Sequence, residues 1–335
     1  MEFIKYADLS RNEWNQYIDQ IDGITFNYTA ERISFNFEYS KAIIENETFL
    51  ALDNKIPVAA AEIYIEKHAD KLQISWNDSY CNAPYIDIRL DYRVQENLAR
   101  KLMVHIDEIA QKYQCKKIML KEDPLGNPEQ SSTFYNYNFL LKYGYMDESG
   151  MTQLIDLRQS KDKLYSDVRK GHKRHINRGK IYDIKIYDKH NITDQMIELY
   201  KDIYEEDAGK VTRNSELYRY YLEFVKNGKG LLAFGCIHGR EVGVVVVTIY
   251  KNTAYYSSYG ELEEELNHVP IGHVLHWEII NYLKEHGIEF YEMGEQVFGK
   301  THYSNPDTKL INISNFKRRF GGYTVPFWRG VKEYK

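Results

Sequence analysis

The chain is poor in cysteine, poor in proline and free of long apolar runs, and each scarcity excludes something. Its 335 residues hold three cysteines, Cys81, Cys115 and Cys236. They lie far apart and form no CxxC pair, which argues against a disulfide framework or zinc cluster and for a reducing compartment. Seven prolines and 20 glycines exclude collagen-like and linker-dominated architectures. No stretch of about 18 apolar residues occurs, so no membrane span is expected. The best run, Val242 to Tyr250, has the length of a strand and contains Gly243 and Thr248. The start, MEFIKYADLSRNEW, lacks a basic cluster and an apolar stretch, so no signal peptide is expected and the chain reads as cytoplasmic. Excess charge is missing too. Lys and Arg number 44 against 49 Asp and Glu, a net charge of -5. That excludes a generally basic DNA binder and confines any polyanion contact to a local patch.

Several signatures of chemistry are also absent. No GxxxxGK[ST] loop, GxGxxG fingerprint or GxSxG elbow occurs, which removes the strongest signals for nucleotide hydrolysis, dinucleotide binding and serine hydrolysis. His268, His273 and His276 lie close together, but the HxxxH pattern with a glutamate base is missing and no metal is expected there.

What is present suits a folded protein. Hydrophobic residues make up 43% and charged residues 28%, with 30 Tyr, 14 Phe and 4 Trp, enough to bury a sizeable core. At roughly 150 residues per domain the length suggests about two domains. Two segments read alike. FLALDNKIPVAAAEIYIEK (Phe49 to Lys67) and LLAFGCIHGREVGVVVVTIYK (Leu231 to Lys251) each pair an apolar strand, a polar turn and a longer apolar strand, a hairpin signature. A polar-aromatic strand follows each, then a helical stretch. The apolar positions Val94, Leu98, Leu102, Ile106 and Ile109 mark the first helix, and Val274, Trp277 and Ile280 the second. Each helix ends near a short strand, from Lys116 and from Ile288. The pattern predicts a duplicated α/β (α+β) unit with mixed, mostly antiparallel sheets flanked by helices. It puts one domain at 1–150, the other at 151–335, and a cleft between the copies.

Three stretches carry candidate chemistry. Arg169 to Lys180 holds six Lys and Arg and no acid. Ser160 can cap a helix with Asp162 in its first turn. Leu164, Val168 and Ile176 leave it only a thin apolar stripe, so Arg174, Arg178 and their neighbours face solvent or a phosphate-bearing ligand. In PIGHVL, Pro270 and Gly272 sit at the mouth of a helix that follows a strand. The backbone N–H groups of Gly272 and His273 there suit an anion or a donor phosphate. In NFKRRFGG, two aromatics bracket three cations and a Gly pair permits a tight reversal, so that Lys317 points into a cleft; the bland alternative is an edge strand with snorkelling cations.

In order, these residues resemble a known family. LYSDVRKGHKRHINRGK, VTRNSELYRYYLEF, YYSSYG, PIGHVLHWEIINYLKEHGIEFYEMG and NFKRRFGG, behind a duplicated hairpin unit, are similar to the FemABX aminoacyltransferases of the GNAT superfamily. The resemblance implies tandem GNAT-like domains. It implies acyl or aminoacyl transfer from an activated ester or thioester to the amine of a cell-envelope precursor, a nucleotide- or lipid-linked peptide or saccharide. It implies no permanently bound cofactor, with aminoacyl-tRNA or acyl-CoA as co-substrate, and peripheral membrane contact at most. By position, Lys41 and Arg213 would hold the precursor's diphosphate, Lys317 would face the transfer centre, and Tyr256 and Tyr259 would line the substrate channel. For proton removal the candidates are Glu295, His302 and the substrate itself. Arg174 and Arg178 would meet donor phosphates or a tRNA acceptor stem.

The chain departs from that family in three places. No heptad run corresponds to a tRNA-binding arm. The stretch Glu295 to Asn312 is long and adds His302, Tyr303 and Lys309, and the acidic turn Glu261 to Leu266 is poor company for tRNA. The coenzyme-A loop of simple acetyltransferases, [QR]xxGx[GA], is not matched at His268 to His273. Two alternatives stay open: an acetyl-CoA-dependent N-acetyltransferase of an amino sugar in polysaccharide synthesis, and a non-catalytic GNAT-like binding protein.

Overall fold

The computed structural model describes residues 1–128, 136–262, 269–301 and 305–334. Two compact units emerge, Met1–Gly150 with Pro326–Lys335, and Met151–Val325. Both have the mixed, mostly antiparallel sheets and flanking helices that the pattern predicts.

The repeated element order is present in each. The hairpin Phe49–Asp53/Ile56–Ala61 turns through Asn54 and Lys55, at φ 50° and 68°, and the hairpin Gly230–Ile237/Arg240–Tyr250 through His238 and Gly239, at φ 52° and 80°. Two successive left-handed residues make the turn whose twist matches the flanking strands. Each unit then has a parallel strand pair joined by a helical crossover. Lys71–Ile74 lies beside Lys117–Lys121 and is linked to it through helix Tyr92–Lys112. Thr253–Glu261 lies beside Phe290–Gln296 and is linked through helix Ile271–Glu285. A parallel pair requires such a long crossover.

The structure departs from the pattern in three places. The first copy's long strand breaks at Glu62 and Ile63, and its halves, Ile56–Ala61 and Tyr64–His68, join different sheets. The buried Glu62 carboxylate at the break accepts hydrogen bonds from Asn36, Tyr64 and Asn82. The basic segment forms two helices. Lys161–Asp167 is capped by Ser160 at 3.2 Å. Val168 then turns extended to bury its side chain, and Lys170–Arg178 begins anew. Finally, the pattern extends the second domain to Lys335, but strand Arg329–Glu333 pairs with Lys117–Lys121 and belongs to the first unit. Pairing partners some 200 residues apart leave no local trace in a sequence pattern.

In the second unit the seven-stranded sheet packs against helix Ile271–Glu285. Leu231, Ala233, Val245, Val247, Leu275, Ile279 and Met293 are buried between them. The helix starts unusually close to the sheet. An added Cβ would stand 2.1 Å from Ile271 Cδ1 at Gly235 and 2.8 Å from Ile271 Cγ2 at Gly243. Glycine in these two neighbouring strands makes the notch that receives Ile271 and fixes where the helix begins.

Candidate active site

The parallel strands Thr253–Glu261 and Phe290–Gln296 pair only from Thr253↔Phe290 to Tyr255↔Glu292. Beyond Tyr255 the ladder stops, and that edge of the first strand has no strand partner among the described residues. A bulge sits at the same point: Val247 faces Tyr256 and Val246 faces Ser258, so Ser257 is an extra residue. One extra residue reverses the side-chain alternation. Tyr256 and Tyr259, three apart, therefore both meet His276, with ring centroids 4.8 and 6.4 Å away. Ser258 turns to the other face and bonds Tyr200 at 3.0 Å.

Lys317 reaches this point from helix Thr308–Arg318, which Asp307 caps at 2.8 Å. Its ammonium lies 5.3 Å from the centroid of the Tyr256 ring. On the opposing strand, Gly294 has φ 98° at a second bulge, where Gln153 faces Gly294 and Leu154 faces Glu292. A Cβ there would stand 2.5 Å from Lys317 Nζ, so the glycine provides both the backbone turn and the space for the ammonium. Burial pushes the Lys317 ammonium below the ordinary lysine range, and the carboxylates of Glu292 and Glu295 pull it back up. Glu292 is half-buried and takes a hydrogen bond from Thr152, and Glu295 is exposed at the strand's end.

An aromatic and imidazole cluster holds the Lys317 helix in place. His172 and His273 meet at 4.3 Å, His175 and His273 at 4.6 Å, and Phe316 and Phe320 at 5.2 Å. His276 closes the cluster at 5.7 Å from Phe316. The His172 ring pairs with Phe316 O at 3.0 Å. Burial pushes His172 down to about 4 and His273 and His276 to about 3, so all three are neutral at pH 7 and pack as aromatic rings. Among the described residues no group of three or more His, Cys, Asp or Glu has an arrangement that suits a metal ion.

Arg213 approaches the bulged strand at Ser258. Its NH1 donates to Tyr200 and, at 3.3 Å, to Ser258 Oγ. Its guanidinium lies 4.0 Å from the Tyr204 ring centroid and 5.4 Å from that of Tyr221. No carboxylate among the described residues forms an ion pair with it. Arg213 and Lys317 thus meet one strand two residues apart, at Ser258 and at Tyr256.

The model of the acetyltransferase (GNAT) domain family matches residues 163–304. That stretch resembles a GNAT acyltransferase domain. Similar solved structures extend the likeness to nearly the whole chain. FemX is 12% identical, with 98% of this chain and 97% of FemX covered at a TM-score of 0.70. L-PGS from Bacillus licheniformis is 12% identical, with 97% and 93% covered at 0.62. A tandem GNAT protein from the clavulanic acid biosynthesis pathway is 14% identical, with 99% and 98% covered at 0.52. At these identities the likeness is one of fold, and the fold is that of tandem GNAT-like domains. No curated protein matches the chain by sequence.

Within the second unit, Lys317, Tyr256, Tyr259, Arg213, Gly272 and His273 all border the bulged strand or the helix that follows it. Gly272 is a close-packing position, since a Cβ there would stand 2.8 Å from the Tyr259 hydroxyl. That hydroxyl donates to Glu261. The helix at Pro270 has no side-chain cap. Arg174 and Arg178 are exposed on the basic helix and line a cavity of about 710 Å³ with Lys170, Lys173 and Asn177. In the first unit, the Lys41 side chain is 71% exposed and pairs with Glu38 at 2.6 Å. His302, Tyr303 and most of the acidic turn after Glu261 lie outside the described residues.

Sequence reasoning missed Glu292 and Gly294, and it weighed His276 only as a metal ligand. YEMGEQ did contain a hint, a glycine between two glutamates at the end of a strand, but nothing in it points to Lys317. Among the described residues no helix is long and apolar enough to cross a membrane.

Proposed function

We propose that the GNAT domain transfers an acyl or aminoacyl group from an activated ester or thioester to the amine of a nucleotide- or lipid-linked cell-envelope precursor. The observation that carries this reading is the Lys317 ammonium poised over Tyr256 where the parallel strands part. In the reaction a neutral amine attacks the donor carbonyl, a C–N bond forms, and the carbonyl oxygen gains negative charge. The C–O or C–S bond then breaks and the amine gives up a proton. Lys317 would stabilise the oxyanion, and losing one such contact costs about 3 kcal/mol, on the order of a hundredfold in rate. Holding both substrates beside one strand supplies a further large share of the barrier reduction. Glu292 and Glu295 flank Gly294 and join His302 and the substrate as proton acceptors. NH1 of Arg213 is taken up by Tyr200 and Ser258, which leaves the rest of its fork to grip a diphosphate. Lys41 would contribute a second cation to that acceptor.

The donor is either an aminoacyl-tRNA or an acyl-CoA. One observation favours coenzyme A: the Ser257 bulge stands together with a helix start at Pro270 that lacks a side-chain cap. An acetyl-CoA-dependent N-acetyltransferase of an amino sugar is therefore the second reading. Incubating the protein with labelled acetyl-CoA or charged tRNA, each with a panel of amino sugars and precursor peptides, tests both. Label in an amide product supports acyl transfer and names the donor, and no amide with either donor across the panel refutes it.

A further inference from the structure

A second cavity of the same unit is lined by three guanidinium-bearing residues and no acid. Its volume is about 700 Å³, and Gln153, Arg169, Asn315, Arg318, Arg319 and Thr324 border it. Three distant segments bring these residues together. The backbone N–H of Arg169 donates to Arg319 O at 2.9 Å, joining the start of the basic helix to the end of helix Thr308–Arg318. Gln153 donates to Gly321 O at 2.6 Å and accepts from Thr324 at 2.7 Å, which fixes the opposite wall.

The charge in this cavity is uncompensated. Arg318 is held by neutral amides, Gln296 at 2.9 Å and Asn315 at 2.5 Å, and lies 4.4 Å from the Phe298 ring centroid. Burial and the neighbouring Arg319 both push its pKa down. Arg169 and Arg319 are exposed and form no ion pair among the described residues. The nearby carboxylate of Asp167, whose backbone packs against Gly321, is engaged by Lys163 at 2.5 Å. Like charges gathered without a counter-charge repel one another, and an anion with several oxygens relieves that repulsion through forked hydrogen bonds. The volume suits a diphosphate with part of a nucleoside attached. The cavity also lies close to the transfer centre, because Gln153 faces Gly294 across the strand ladder.

We propose that this cavity is a phosphate-binding site, separate from Arg213 and from the exposed face of the basic helix. Its ligand is the phosphate or diphosphate of a co-substrate, carried by coenzyme A or by a nucleoside diphosphate sugar. The proposal concerns binding alone, so it stands or falls independently of the acyl-transfer reading.

The test is isothermal titration of the full chain with pyrophosphate, coenzyme A, 3′-dephospho-coenzyme A and a nucleoside diphosphate sugar. The variants are Arg169→Gln and Arg319→Gln, both at exposed positions, with Lys189→Gln, exposed and in neither cavity lining, as comparison and thermal unfolding as the check of folding. Pyrophosphate should bind the wild type, and each arginine variant should bind it roughly tenfold to a hundredfold more weakly, the usual effect of losing a charged hydrogen-bond donor. Lys189→Gln should bind nearly as the wild type does. Whichever larger ligand loses affinity in the same two variants identifies the source, and weaker binding of 3′-dephospho-coenzyme A would single out the 3′-phosphate. The proposal is overturned if pyrophosphate does not bind, or if folded Arg169→Gln and Arg319→Gln bind it as the wild type does.

Discussion

His172 and His276 contribute directly to the second unit's acid sensitivity. Their exposures are 3% and 1%, and burial pushes their pKa values down to about 4 and about 3. In the unfolded chain each titrates near about 6.5. Between that value and about 4 the unfolded state binds protons that the folded state does not, so stability falls as pH falls. At about pH 5.5 an unfolded imidazole is roughly nine-tenths protonated, which costs the folded state about 1.4 kcal/mol per buried ring relative to neutral pH. The two rings together cost about 3 kcal/mol, or roughly 6–11 °C in Tm for a unit of this size. The carboxylates, Glu122 of the first unit among them, are common to the wild type and the variant below and drop out of the comparison. His276→Gln isolates one ring. Whatever it does to stability at pH 7.5, its Tm should fall by roughly 3–6 °C less than that of the wild type on going to pH 5.5. Differential scanning calorimetry of both proteins across this range is the assay. Parallel Tm lines for wild type and variant would refute the claim that His276 is buried neutral.

Three other outcomes follow from single residues. Gly294→Ala should cost about 1–3 kcal/mol for its backbone conformation. By displacing Lys317 Nζ about 1 Å it should lower turnover on the order of a hundredfold, and full turnover in a folded variant would separate Lys317 from the chemistry. Arg213→Ala should weaken binding of a nucleoside diphosphate sugar in titration calorimetry; unchanged affinity would leave Arg213 only its tyrosine contacts. In the first unit, burial drives the Glu122 carboxyl well above the ordinary carboxylate range, and its Oε1 has no hydrogen-bond partner among the described residues. Its stabilising protonated form is lost as pH rises through that raised value. Glu122→Gln should therefore gain Tm over the wild type, by more at pH 8 than at pH 6, and a gap that shrinks with rising pH would contradict the assignment.

Much of the scaffold was legible because it rests on local signals. Polar turns between apolar runs marked both hairpins, and apolar spacings of three and four marked helices Tyr92–Lys112 and Ile271–Glu285. The site was legible only in part. Tyr256 and Arg213 came from family resemblance and Lys317 also from its place between two aromatics, while the arrangement that joins them depends on register. Simple alternation would set Tyr256 and Tyr259 on opposite faces, and only the extra residue Ser257 brings both against His276. The arginine-lined cavity was hidden for a similar reason. Arg169 and Arg319 are 150 positions apart in the chain and meet through one backbone hydrogen bond. Arg169 also stood in a segment whose outward charges gave no hint of the break at Val168.

The central claim is that the Lys317 ammonium, held between Tyr256 and Gly294, serves the acyl-transfer step. The direct measurement is steady-state kinetics of Lys317→Ala with whichever donor and amine the labelling panel identifies. A kcat lowered by about 10²–10³, with KM values near those of the wild type and an unchanged Tm, is the predicted result. Turnover equal to that of the wild type would contradict it.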